Sequence, residues 1–287
     1  MYGLLLLSVA IMTGNTALTK LFQRSVRFDL GSMAMYNLIN ALFACVFFFV
    51  GAGFHIQTNG LTLMYALVYA LIICVNLSAQ ILALTLVPVP VTTLMSVAGG
   101  VLLPAVFGIV YYGEPLTLRL VLSVILILAA TVLPLSGEKN TVEIKGIGAC
   151  LMMFVLGGGS VILVQLYSRA EGVCNSQSFF FLTNAVIGAL CLVLVLVQGF
   201  RLGFGDLTLF SPKQLGMLGA KTATANIASM LQVPILRGME ASTYAVLNSS
   251  LSLVGSAALS AFAFREKQTK KSILAVLLAI AAMVIEN

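Results

Sequence analysis

Lys221 is the sharpest chemical feature of this chain, a lysine set deep in an otherwise apolar stretch and the only Lys or Arg so placed. If a helix starts near residue 212, a rise of 1.5 Å per residue carries its ammonium about 12–13 Å along the axis. There it could hold a substrate carboxylate or phosphate, or shed its proton when desolvated. The competing reading is a side chain that lies along its four-carbon stem towards the nearer surface. Other polar groups recur at helical spacing inside apolar stretches. Tyr36 and Asn37 both neighbour Asn40, and Asn76 shares a face with Gln80. Thr222, Asn226 and Ser229 form one stripe, with Lys221 and Gln232 on the adjacent one. Tyr244, Asn248 and Ser252 line up in the same way, and Asn15 and Thr19 lie near the start of the chain. Amides, phenols and one ammonium recognise solutes by hydrogen bonds and charge. Together they describe a cavity for a neutral or zwitterionic metabolite. Singly, each also fits the role of interhelical glue, worth about 0.6 kcal/mol on average.

Bond-making chemistry lacks its parts. The sole histidine, His55, lies in a loop, and no Asp, Glu, His and Cys set lines up on one helix face. The five cysteines (Cys45, Cys74, Cys150, Cys174 and Cys191) are scattered without a C-x-x-C pair and read as small apolar residues. No phosphate-cradling G-x-x-x-x-G-K-[ST] loop occurs, and the runs Gly157-Gly158-Gly159 and Gly99-Gly100 read as close helix packing. The expectation is therefore no enzyme, no catalytic residue, no metal and no cofactor.

These residues sit in a chain that is 60% hydrophobic and only 8% charged, with a mean hydropathy of +1.10. Apolar runs of about 20 residues match a bilayer core about 30 Å thick. Ten such spans fit, near 3–22, 30–52, 60–84, 90–112, 117–135, 144–168, 175–199, 212–236, 241–264 and 269–286. The first lacks a basic leading region and a small-residue cleavage site, so it reads as a retained helix. The net charge of +6 belongs to loops and does not point to nucleic acid. Lys20, Arg24, Arg27, Lys139, Lys145, Arg201, Lys213, Arg265, Lys267, Lys270 and Lys271 follow odd-numbered spans. Only Arg119, Arg169 and Arg237 lie on the opposite side, which puts both termini outside.

The chain also repeats itself. Gly14, Leu21, Phe22 and Arg24 align with Gly159, Leu166, Tyr167 and Arg169 at an offset of 145. Asn76 aligns with Asn226, and Gly99-Gly100 with Ser249-Ser250, at 150; Glu114-Pro115-Leu116-Thr117 answers Glu266-Lys267-Gln268-Thr269 at 152. Each of these last segments precedes a helix that Thr117 or Thr269 can cap, with the glutamate near its positive end and Pro115 ending the previous helix. Glu114 and Glu266 are thus expected to be structural. Two five-span halves, 1–138 and 139–287, have opposite orientation because five is odd. The fold class expected is an all-α polytopic membrane protein of ten transmembrane helices in two inverted repeats. Secondary transporters use that symmetry to place a site near the midplane.

On these features the chain resembles the drug/metabolite transporter superfamily, in its ten-helix EamA-like branch. The resemblance covers essentially the full length and rests on the five-plus-five arrangement, the glutamate-bearing turns and a mid-span proline, Pro104. Val254 stands where a matching proline would be in span nine, and span one carries no acidic residue. The resemblance implies a secondary carrier in the plasma membrane that moves small organic metabolites by alternating access, with efflux of amino-acid-like solutes foremost. Its partners would be a small solute and the lipid bilayer. A carrier of anionic sugar phosphates or nucleotide sugars, using Lys221, is one alternative, and a non-transporting scaffold or receptor is another. The sequence does not fix substrate, direction of transport, coupling ion or oligomeric state, and a monomer would suffice; on orientation the resemblance implies termini in the cytoplasm, whereas the loop charges put them outside.

Overall fold

A computed structural model describes residues 1–25, 30–86, 89–133, 144–202, 210–262 and 269–286. Among them the chain forms ten helices and no strand: α1 (Tyr2–Ser25), α2 (Leu30–Gly51), α3 (Gly60–Leu86), α4 (Val89–Tyr112), α5 (Leu118–Val132), α6 (Ile144–Arg169), α7 (Ser176–Leu202), α8 (Pro212–Gly238), α9 (Ala241–Phe262) and α10 (Lys270–Glu286). The ends lie within three residues of the stretches read from hydropathy. Local chemistry sets several of them. Ser211 and Gln214 bond each other's backbone amides in a capping box ahead of α8, with Pro212 at the first helical position. Asn59 Oδ1 accepts the Thr62 amide at 2.7 Å to open α3, and Asn175 Oδ1 accepts the Ser178 amide at 2.8 Å to open α7.

Among the described residues six helices (α1, α2, α3, α4, α6 and α7) contain windows long and apolar enough to cross a bilayer. The other four differ for visible reasons. α5 and α10 have 15 and 17 residues, while α8 and α9 carry most of the polar residues singled out above. Large apolar side chains stand exposed along the helices, such as Val110 at 79% and Phe200 at 80%. Water does not tolerate a belt of that extent, and lipid does.

The helices form two compact units, one of residues 1–9, 72–169 and 233–287, the other of residues 10–71 and 170–232. Each unit takes helices from both sequence halves, 1–138 and 139–287. In the first unit α4 packs along α6 through glycines. A Cβ on Gly99 would overlap the Phe154 carbonyl, and one on Gly158 would stand 2.7 Å from Leu103 Cβ and collide with the Gly99 carbonyl. α5 meets α10 through Ala130, Ala275 and Ala279, beside a cluster of Val101, Leu120, Ile127, Val246 and Ala282. Pro104 is buried within α4. In the second unit α2 packs along α7, where the Phe48 and Phe180 rings stack at 5.3 Å. Phe22, Phe210 and Leu218 form its other core cluster.

Gly158→Val should destabilise the protein by about 1–3 kcal/mol through overpacking. Gly157→Ala, whose new carbon finds its nearest neighbour at 3.8 Å, should change stability by less than about 0.5 kcal/mol. The chain has no tryptophan, so thermal unfolding in detergent is best followed by dye labelling of the buried Cys150 and Cys191. An unchanged midpoint for Gly158→Val would mean that α4 and α6 do not approach this closely.

Candidate functional site

In the second unit, one turn of α2 carries Tyr36 and Asn40 on a common face, opposite successive residues of α8. Lys221 Nζ donates to Tyr36 Oη and lies 4.9 Å from the ring centroid. Thr222 Oγ1 lies 2.7 Å from Asn40 Oδ1 and 2.8 Å from the Leu218 carbonyl, so two acceptors share its proton. Phe22 of α1 closes one side, with its ring 5.5 Å from Tyr36 and 5.7 Å from Phe210. Lys221 is half-buried, and among the described residues no carboxylate pairs with it. Its polar partner there is the Tyr36 hydroxyl.

One turn beyond Thr222, Asn226 is 8% exposed and its Nδ2 has no partner among the described residues. Asn15 of α1 is equally buried, and its Oδ1 also lacks a partner, although Thr19 Oγ1 donates to its backbone carbonyl at 2.8 Å. Buried polar groups almost always find hydrogen bonds, and among the described residues this unit leaves four side-chain atoms without one: Asn15 Oδ1, Thr183 Oγ1, Gln198 Oε1 and Asn226 Nδ2. Asn37 is half-buried. The remaining expected site residues belong to the first unit. There Asn76 Oδ1 is buried without a partner, Gln80 is exposed, Tyr244 is buried and Asn248 half-buried. The sequence thus supplied Tyr36, Asn40 and Lys221. It also supplied the polar stripe through Thr222, but not the bond from Thr222 to Asn40.

Glu114 departs from expectation. It was placed at the positive end of α5, but its carboxylate reaches the start of α9. Oε1 accepts the Ala241 amide at 2.7 Å, and Oε2 accepts the Ser242 amide at 3.0 Å and hydroxyl at 2.7 Å. Gly113 explains the turn: at φ +67° it ends α4 in the left-handed region and swings Glu114 back. The Glu114 amide donates to the Gly108 carbonyl at 3.1 Å, and a side chain at Gly108 would strike the carboxylate. α5 is capped by Thr117 alone, which accepts the Leu120 amide at 3.2 Å. Thr269 does the same for Ser272 in α10, while Glu266 lies outside the described residues.

Arg169, read as a repeat marker and a loop charge, completes this cluster. Its guanidinium donates to the Met239 carbonyl at 2.8 Å and the Leu236 carbonyl at 3.4 Å, rests 4.0 Å from the Tyr112 ring centroid, and lies 3.8 Å from Glu114. No spacing within one helix signals such a contact. Thr243 donates to Glu286 at 3.0 Å nearby. Among the described residues no group of three or more His, Cys, Asp or Glu could hold a metal ion.

No family model matches this chain, and no curated protein does either. Twenty-nine chains of solved structures match it. One, described only as "Crystal structure of protein", superposes with a TM-score of 0.72 over 98% of this chain and 93% of its own length. At 16% sequence identity it shares the fold.

Glu114→Ala would orphan two helix-start amides and leave Arg169 without its carboxylate. The loss should be about 3 kcal/mol, the low end for a broken buried pair, because Arg169 keeps 26% of its side chain exposed. Ser242→Ala should cost about 1 kcal/mol. Thermal unfolding of both variants checks this; equal midpoints would mean the carboxylate does not hold α9.

Proposed function

We propose that the protein is a secondary carrier that moves small polar organic metabolites across the cytoplasmic membrane by alternating access. The observation that carries the reading is the polar group in the second unit: Tyr36, Asn40, Lys221 and Thr222, with the unpartnered amide of Asn226 beside them. Lipid gives no reason to maintain an ammonium and an orphaned amide inside such helices, and a passing solute does. The pairing of helices supports a two-fold relation between the halves. α2 packs on α7, α4 on α9 and α5 on α10, each a pair at equivalent positions of the two repeats. Thr117 and Thr269 cap α5 and α10 with the same 3.2 Å bond. On this reading all ten helices span, the shorter and more polar ones shielded by the six apolar ones, as in EamA-like transporters. Efflux of amino-acid-like metabolites fits a cavity rich in amides.

Reconstituted in liposomes, the protein should exchange solutes from a labelled metabolite library with saturable, counter-substrate-stimulated kinetics. Tyr36→Phe and Thr222→Val should each weaken the apparent affinity about two- to tenfold. A library in which nothing crosses faster than in protein-free vesicles removes the carrier reading and leaves a scaffold or receptor. The loop charges place both termini outside, so a terminal reporter active only in the cytoplasm should stay silent; activity there would reverse the orientation.

A further inference from the structure

Among the described residues Glu286, in the last turn of α10, is the only acidic residue that lies within a helix. Thr243 Oγ1 of α9 donates to its Oε1 at 3.0 Å, whereas Oε2 is buried and has no partner there. Resting on the carrier reading, we propose that Glu286 is a proton-binding site and that its proton is the ion coupled to solute movement.

The packing around the carboxyl is dry. α10 lies against α5 and α9. Leu120, Ile127, Val246 and Ala282 belong to one apolar cluster, and none of them is more than 3% exposed. Ser123 is fully buried, and its hydroxyl donates to the Ala282 carbonyl at 3.1 Å. The same hydroxyl stands within hydrogen-bonding reach of the Glu286 side chain.

These contacts suit a carboxylic acid better than a carboxylate. An ionised carboxylate only accepts, and an oxygen buried without a donor loses its hydration with nothing in return. The neutral acid carries its own O–H donor. With the Ser123 proton directed at Ala282, Ser123 Oγ offers lone pairs that this O–H can meet. On ionisation the O–H bond breaks, its electron pair stays on Oε2 and the proton passes to water. The Ser123 hydroxyl can then turn to the carboxylate. Glu286 ends its helix only half-buried, so water is close.

The charges around the site leave the ionised form without a counter-ion. Among the described residues no Lys or Arg pairs with Glu286. Glu240, exposed just ahead of α9, acts on it as a like charge. Glu114, ahead of α5, faces Arg169 instead. Arg119 of α5 is exposed, and Lys270 and Lys271 lie at the far end of α10, about 22–24 Å away. Asn287 lies outside the described residues.

Infrared spectra of the purified protein in liposomes, recorded across pH, test the site directly. A protonated-carboxyl band should be present at neutral pH, fade on alkalinisation, be absent from Glu286→Gln and be kept by Glu240→Gln. Ser123→Ala should shift its frequency without removing it, which a merely structural glutamate would not show. Coupling is tested in vesicles with the membrane potential held at zero. With one proton moved per solute, a gradient of one pH unit should sustain about a tenfold concentration ratio of any labelled metabolite the protein carries. No band at neutral pH, a band that survives Glu286→Gln, or carriage indifferent to the gradient overturns the proposal. The spectra and the gradient response of the unaltered protein need no variant, so misfolding cannot obscure them. The two readings fail separately. A Glu286 band without carriage removes the carrier and keeps the proton site. Carriage with neither band nor gradient response keeps the carrier and removes the proton site.

Discussion

The clasp between Glu114 and Arg169 answers the hardest electrostatic demand of the first unit, the reversal of the chain from α8 to α9 across Met239 and Glu240 alone. Such a reversal puts the carbonyl end of one helix beside the amide end of the next. The first carries partial negative charge and the second partial positive charge, and both leave backbone groups without intrahelical partners. Arg169 takes the carbonyls of Leu236 and Met239, while Glu114 takes the amides of Ala241 and Ser242. The two side chains then neutralise each other at 3.8 Å. Arg237 repeats the device by donating to the Ser168 carbonyl at the end of α6 at 2.7 Å. Glycine makes the clasp possible twice: Gly113 turns the chain and Gly108 leaves room for the carboxylate.

Much of this was legible in residue order, and the reason is range. Helix extents follow from hydropathy and caps, which act within four residues, so the sequence reading placed all ten within three residues of their ends. Thr117 and Thr269 were readable as caps for the same reason, each bonding three residues ahead. Glu114 was read as structural and assigned to α5, whereas its carboxylate accepts amides of α9, donors that lie 127 and 128 positions away. Tyr36 and Lys221 were each recognisable as polar groups in apolar helices. Their bond joins residues 185 positions apart, and only the fold reveals it.

Two modes of helix adhesion coexist here, and their contrast bears on function. Lipid tails are as apolar as leucine, so helices in a bilayer gain little by hiding apolar faces from each other. α4 and α6 instead adhere by close approach, with Gly99 and Gly158 bringing backbone against backbone. α2 and α8 adhere through side chains, Tyr36 to Lys221 and Asn40 to Thr222. A chain able to seal a seam with glycine has no structural need for lysine in another.

Orphaned amides sharpen that argument. A residue whose role is to bind helix to helix directs its hydrogen bonds at the neighbouring helix, as Thr222 does at Asn40. Asn226 lies one turn further along the same stripe, and among the described residues its Nδ2 has no partner, nor does the side-chain Oδ1 of Asn15. Burying such groups without partners costs about 1–3 kcal/mol each. A protein held together only by glue would replace them with leucine and gain stability. Asn15 and Asn226 stay polar, buried and unanswered in the same compact unit as Lys221.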